Sequence, residues 1–268
     1  MKMSNSGISV TRDERIDSSP SSKGNQIKWR TKTGLWLKAD DLGYEGLSET
    51  IASKMLKDSN IGSYVTYAPC CIMEEGVKYR GCVSEDFLKP GESLITLQRL
   101  YETHGRDAYA EFDGKSASSR LSGLIESVTI ITKLQDFGLW LGKLLEFDAF
   151  ILNEDRHLQN IALVINTDEK FSLMPVFDNG AAFLSDTMRD YPLTAPTSKL
   201  ISKVRSKPIV TSFDKQNEAV KEVVGLSLKL GRYADFEAGD FEYYNEEEVR
   251  RVKNVIKAQS MRYPNLFE

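Results

Sequence analysis

Cysteine and histidine are scarce in this chain. Of 268 residues, three are cysteine (Cys70, Cys71, Cys82) and two are histidine (His104, His157). An odd cysteine count without a repeated spacing does not make a disulfide framework. These five scattered ligands do not make a zinc site either, so we expect buried free thiols. Long apolar runs are also missing. None reaches the about 18 residues of a membrane span, and Met1–Pro20 has no apolar signal core. We therefore expect a cytoplasmic protein without a membrane partner. The net charge of −4 argues against direct nucleic-acid binding.

What is present is ordinary globular composition, 41% hydrophobic and 28% charged. The chain is long enough for two lobes and a cleft. Residues 1–20 read as a mobile tail, polar and without periodicity. Residues 21–88 read as a lobe of short strands (26–30, 35–38, and a hairpin of 63–73 with 77–83) and one helix (45–57). There Leu47, Ile51 and Met55 repeat every four residues. After the polar, Pro/Gly-ended connector 84–91, residues 89–268 read as a mainly helical lobe, with helices at 93–101, 121–134, 137–152 and 245–262. The helix 137–152 is apolar on nearly every side, the mark of a buried helix. A hairpin of 161–165 with 171–176 follows. The last helix opens on Asn245 and three glutamates, with bases later, as its dipole favours.

The chemistry concentrates at the end of the buried helix. There the chain reads Asn153-Glu154-Asp155-Arg156-His157-Leu158-Gln159-Asn160, and past the hairpin Phe177-Asp178-Asn179-Gly180. An Asp, an Asn five residues on, and a second Asp beyond a hairpin suit phosphoryl transfer. Asp155 would take a hydroxyl proton, and Asn160 and Asp178 would hold metal. Lys38 ends a strand and is followed by a helix carrying Glu45 and Glu49. A strand lysine paired with a helix glutamate fixes ATP phosphates, and we favour Glu49. Arg156 and His157 receive no catalytic role; His157 is expected to hold the loop in shape. The stretch Ser18-Ser19-Pro20-Ser21-Ser22-Lys23-Gly24-Asn25-Gln26-Ile27-Lys28 is the candidate phosphate loop. It matches neither G-x-G-x-x-G nor a Walker sequence.

Together these pieces resemble the HipA-like serine/threonine kinases. The match lies in Ser22–Lys28, Leu35-Trp36-Leu37-Lys38, Asn153–Asn160 (where His follows the Asp) and Phe177–Gly180. The resemblance implies an α+β, two-lobed protein-kinase-like fold, with ATP and Mg2+ as cofactors. It further implies transfer to Ser or Thr of a protein substrate, and an antitoxin-like regulator as a partner. By position it makes Asp155 the base, Asn160 and Asp178 the metal ligands, and Lys38 the phosphate lysine. Ser22, Gly24 and Gln26 fall in the phosphate loop, and the hinge meeting adenine spans Glu85 to Leu88, including Phe87. Ser18, Ser19, Ser21 and Ser22 become candidates for self-inhibitory autophosphorylation. The family's extra N-terminal domain has no counterpart before the loop, so the chain resembles a minimal kinase core. A toxin-type role is open to such a kinase. The competing readings are a pseudokinase that acts as an antitoxin or adaptor, and a kinase for a lipid, sugar or antibiotic.

Overall fold

Strands fill the first third of the chain and helices most of the rest. The computed structural model describes residues 7–16, 26–231 and 236–267. Six strands form the first sheet: β1 (Ile8–Val10), β2 (Arg15–Ile16), β3 (Lys28–Arg30), β4 (Leu35–Ala39), β5 (Ala68–Glu74) and β6 (Val77–Glu85). Their spatial order is β1-β5-β6-β4-β3-β2, with β1 parallel to β5 and the other pairs antiparallel. Alternation along β4 sends Leu37 and Ala39 into a core with Val10, Trp29, Cys70, Ile72 and Val83, and turns Lys38 to the other face.

The helix α1 (Glu45–Lys57) crosses that second face. Gly46 brings it close, and Gly81 brings β6 close to β4. A Cβ on Gly46 would lie 2.6 Å from the Gly81 carbonyl carbon, and one on Gly81 would lie 2.0 Å from the Lys38 carbonyl oxygen. Neither position has room for a larger side chain, and the close approach carries Glu49 to Lys38.

The second part of the chain holds β7 (Ser93–Thr96), α2 (Leu97–Thr103), α3 (Ala108–Phe112), α4 (Ala117–Thr132), α5 (Phe137–Ile151), β8 (Ala162–Ile165) and β9 (Phe171–Leu173). It continues through α6 (Thr197–Ile201), α7 (Phe213–Val223) and α8 (Glu246–Arg262). The strands form a small antiparallel sheet, β7-β8-β9. α5 lies in the main core, with Phe147, Phe150 and Ile151 fully buried. α8 has the expected cap: Asn245 accepts from the Glu247 and Glu248 amides, and Glu248 accepts from the Asn245 amide.

Three expectations are corrected. Part of the expected tail is ordered sheet. Ile8–Val10 pairs with Ile72–Glu74, Val10 is buried, and Glu14 closes a turn on the Thr11 amide. Strands of two or three residues are too short to show alternation in the sequence. Ser93–Thr96 is a strand rather than the start of a helix, because it pairs with β8; Thr96 then caps α2 through the Arg99 amide. Finally, Ser63–Tyr67 lies outside the first hairpin and Met174–Val176 outside the second. These segments bond to each other instead, Val65 N–H to Val176 O and Val176 N–H to Ser63 O, each at 2.9 Å. That crossing anchors the Asp178 loop beside the N-terminal sheet.

Candidate active site

Lys38, Glu49 and Asp178 meet under the first sheet. The Lys38 Nζ lies 2.6 Å from Glu49 Oε1 and 2.8 Å from Asp178 Oδ1. Glu49 is fully buried, and its second oxygen accepts the Asn179 amide at 2.8 Å. Glu45 is engaged elsewhere: it accepts the Leu42 and Gly43 amides just before α1. Burial opposes the charge on Lys38, but Asp178 and Glu49 outweigh it and hold the ammonium well above the ordinary lysine range. Burial would likewise raise Asp178, yet Lys38, Lys28 and Arg156 hold its carboxyl far below the usual range. Asp178 has φ +61°, a strained conformation for a non-glycine residue. Its side chain remains 26% exposed, and no hydrogen bond reaches Oδ2 among the described residues.

Asp155 lies on the loop after α5. Leu152 ends the helix at φ +59°, and Asn153 turns back to accept the Asp155 amide at 3.2 Å. Asn160 Nδ2 donates to the Asp155 carbonyl at 2.8 Å. One face of the Asp155 carboxylate meets Lys207, Nζ to Oδ1 at 3.3 Å. His157 accepts the Gln159 amide on Nδ1 and sits 3.9 Å from Asp155 through Nε2. Burial lowers its basicity, as does Lys207, against the pull of Asp155. It shapes the loop, as expected.

The two aspartate loops are joined by a residue to which the sequence assigned no role. Arg156 is fully buried and pairs with Asp148 of α5 at 2.9 Å. The same guanidinium donates to the Asn160 carbonyl (3.2 Å), the Phe177 carbonyl (2.9 Å) and Asn179 Oδ1 (2.8 Å). Asn153 adds a bond to Asp148 and one to the Asp178 carbonyl. Although burial opposes it, Asp148 keeps Arg156 charged and above its ordinary value. Asp155, Asn160 and Asp178 thus hang from one buried bracket. Asp148 went unread; the available signal was a carboxylate set between Phe147 and Ala149-Phe150 near the end of the helix.

The other expected site residues are distributed around this centre. Gln26 is half-buried, and its Nε2 finds no partner among the described residues. Lys28, on β3 across from Lys38, contributes to the field on Asp178. Phe87 packs on Phe177 with ring centroids 5.4 Å apart, and both border a cluster of Val65, Tyr67 and Cys82. Lys38 stands 5.2 Å from the Tyr67 ring, so this apolar wall adjoins the lysine. Glu85 is exposed at the end of β6, and the next amide, Asp86 N–H, is taken by the Gly34 carbonyl. Ser18, Ser19, Ser21, Ser22 and Gly24 lie outside the described residues.

Asp178 and Asn160 are a carboxylate and an amide, both hard oxygen donors, and no group of three His, Cys, Asp or Glu that could hold a metal converges among the described residues. Mg2+ uses few protein ligands and completes its shell with water and phosphate, so Asp178 and Asn160 fit that ion.

No protein-family model matches the sequence, and no curated protein sequence matches it. Solved structures do. The crystal structure of a Helicobacter pylori proinflammatory kinase, CtkA, superposes with a TM-score of 0.60 at 12% identity, covering 97% of each chain. A chain of the Shewanella oneidensis HipA–HipB–operator DNA complex, described as a toxin–antitoxin system, gives a TM-score of 0.43 at 11% identity, over 90% of this chain and 65% of that one. A TM-score of 0.43 does not show a shared fold. The first likeness shows that this chain has an α+β, kinase-like fold, similar to that of CtkA over 97% of the chain.

Proposed function

We propose that the chain is an ATP- and Mg2+-dependent kinase that phosphorylates Ser or Thr of a protein. The observation that carries this reading is the Lys38 ammonium, buried between Glu49 and Asp178. A strand lysine fixed by a helix glutamate and a loop aspartate suits the grip on nucleotide phosphates. The wall of Val65, Tyr67, Cys82, Phe87 and Phe177 suits a flat heterocycle. Asp178 and Asn160 would hold Mg2+, which when bound neutralises phosphate charge. Asp155 would orient the acceptor hydroxyl and take its proton. The HipA-like motif Asn153–Asn160 supports a protein acceptor.

The test is incubation with γ-labelled ATP and Mg2+, followed by phosphoproteomics after brief expression. Label should enter the chain itself and other proteins, and should vanish in Asp155→Asn and Asp178→Asn. Failure to bind ATP and Mg2+ at all rejects the kinase reading. Binding without transfer points to a pseudokinase, and label only in a small molecule points to a small-molecule kinase.

A further inference from the structure

We infer that Lys207 is a catalytic cation of this site, one that moves from Asp155 to the transferring phosphoryl group. This rests on the kinase reading above. Lys207 lies between α6 and α7, 52 residues beyond Asp155 in sequence, yet its Nζ is 3.3 Å from Asp155 Oδ1. The turn that presents it is tied down on both sides. Val204, Ser206 and Ile209 are buried, the Ser206 hydroxyl donates to the Val210 carbonyl, and Arg205 bonds the Ser202 carbonyl at 2.9 Å. The Lys207 side chain itself is 40% exposed, against 12% for Asp155. Its base is fixed, and its tip is partly exposed.

The reaction explains why a cation there would act. The acceptor oxygen bonds to the γ-phosphorus as the bond from that phosphorus to the bridging oxygen breaks. ADP leaves with the electron pair of that bond, and the hydroxyl proton passes to Asp155. Asp155 loses its negative charge at the stage when charge is spread over the transferring group and the leaving oxygen. A lysine attracted to Asp155 in the resting enzyme is then drawn to the phosphoryl oxygens. An interaction that strengthens only along the reaction raises turnover rather than affinity. Two other cations of the site are fixed in place, Lys38 by Glu49 and Asp178, and Arg156 by Asp148. As a fold-stabilising pair the contact is minor, since an ion pair with so exposed a partner adds little to stability. The variant should therefore fold.

The experiment compares wild type, Lys207→Ala, Lys207→Met and Lys207→Arg in steady-state transfer from ATP, with thermal melts as the folding control. Lys207→Ala and Lys207→Met should lose kcat by about 10²-fold with KM for ATP within about threefold, and Lys207→Arg should recover at least about tenfold of that loss. Wild-type kcat in a folded Lys207→Ala, or a loss confined to KM, overturns the inference and leaves the kinase reading standing. Should Lys207→Ala fail to fold, the same two outcomes are read from Lys207→Met, which keeps the stem. A wild type that neither binds ATP nor transfers phosphate overturns both.

Discussion

Arg156 and Asp148 form an ion pair from which water is excluded, with both side chains 0% exposed. The pair ties the end of α5 to the Asp155 and Asp178 loops, because the same guanidinium holds the carbonyls of Asn160 and Phe177. Removing one partner would strand a buried charge. Asp148→Ala should therefore lose about 3–5 kcal/mol of stability in urea unfolding. Arg156→Lys should not restore function, since an ammonium cannot reproduce a planar fork that reaches four acceptors. A loss below about 1 kcal/mol for Asp148→Ala would contradict a sealed pair.

A second prediction concerns Gly81. It sits on β6 opposite Ala39, and an added methyl would press on the Lys38 carbonyl at 2.0 Å. The obstacle is backbone, so the strand must move and take Lys38 with it. Gly81→Ala should weaken nucleotide binding by roughly tenfold or more, on the order of 1.4 kcal/mol, and should lower the melting temperature. Calorimetric titration with ATP and Mg2+ checks this, and unchanged affinity would show that β4 tolerates the shift.

These two sites mark what the sequence could and could not reveal. The helix Glu45–Lys57 was legible to its ends, because thirteen residues give several turns of apolar period. The aspartate loops were legible because their chemistry lies in a few consecutive residues. Lys38 and its partner Glu49 were readable as a strand-then-helix order, with Glu45 as the rival until the structure assigned it to the turn before α1. Asp148 was hidden by the apolarity of its neighbours, and its partner lies past the helix end. Lys207 was hidden by a separation of 52 residues, which no local period spans. The helices α3 and α6, five residues each, are too short to print a period.

A third prediction addresses Ser18, Ser19, Ser21 and Ser22, which lie outside the described residues. In sequence they precede Gln26 and Lys28, and Lys28 acts on Asp178. On the kinase reading, a phosphate there would add roughly −1.5 to −2 charge to a stretch that the sequence assigns to phosphate binding. Mass spectrometry of protein made in cells should find phosphate on at least one of the four. Asp155→Asn protein should lack it, and replacing all four serines with alanine should leave the enzyme more active. Phosphate on these serines in the Asp155→Asn protein would assign the modification to another kinase.

The fourth prediction is a pH dependence with a fixed sign. Asp178 is held far below its ordinary carboxyl value of 3.8, against the effect of burial, by Lys38, Lys28 and Arg156. A carboxyl depressed on folding binds its proton more readily in the unfolded chain. Its contribution to stability is therefore complete above about pH 4 to 5 and is lost as the pH falls below that toward the folded value. Lys38 is raised, so its contribution is complete below its ordinary value of 10.5 and fails only as the pH climbs beyond it. The pair should thus be intact across neutral pH. In urea unfolding between pH 5 and pH 2, wild type should lose stability more steeply than Asp178→Asn. The difference should approach one proton, or about 1.4 kcal/mol per pH unit. Parallel slopes would mean that Asp178 titrates alike in the folded and unfolded chains, and that the Lys38 contact does not hold its charge in solution.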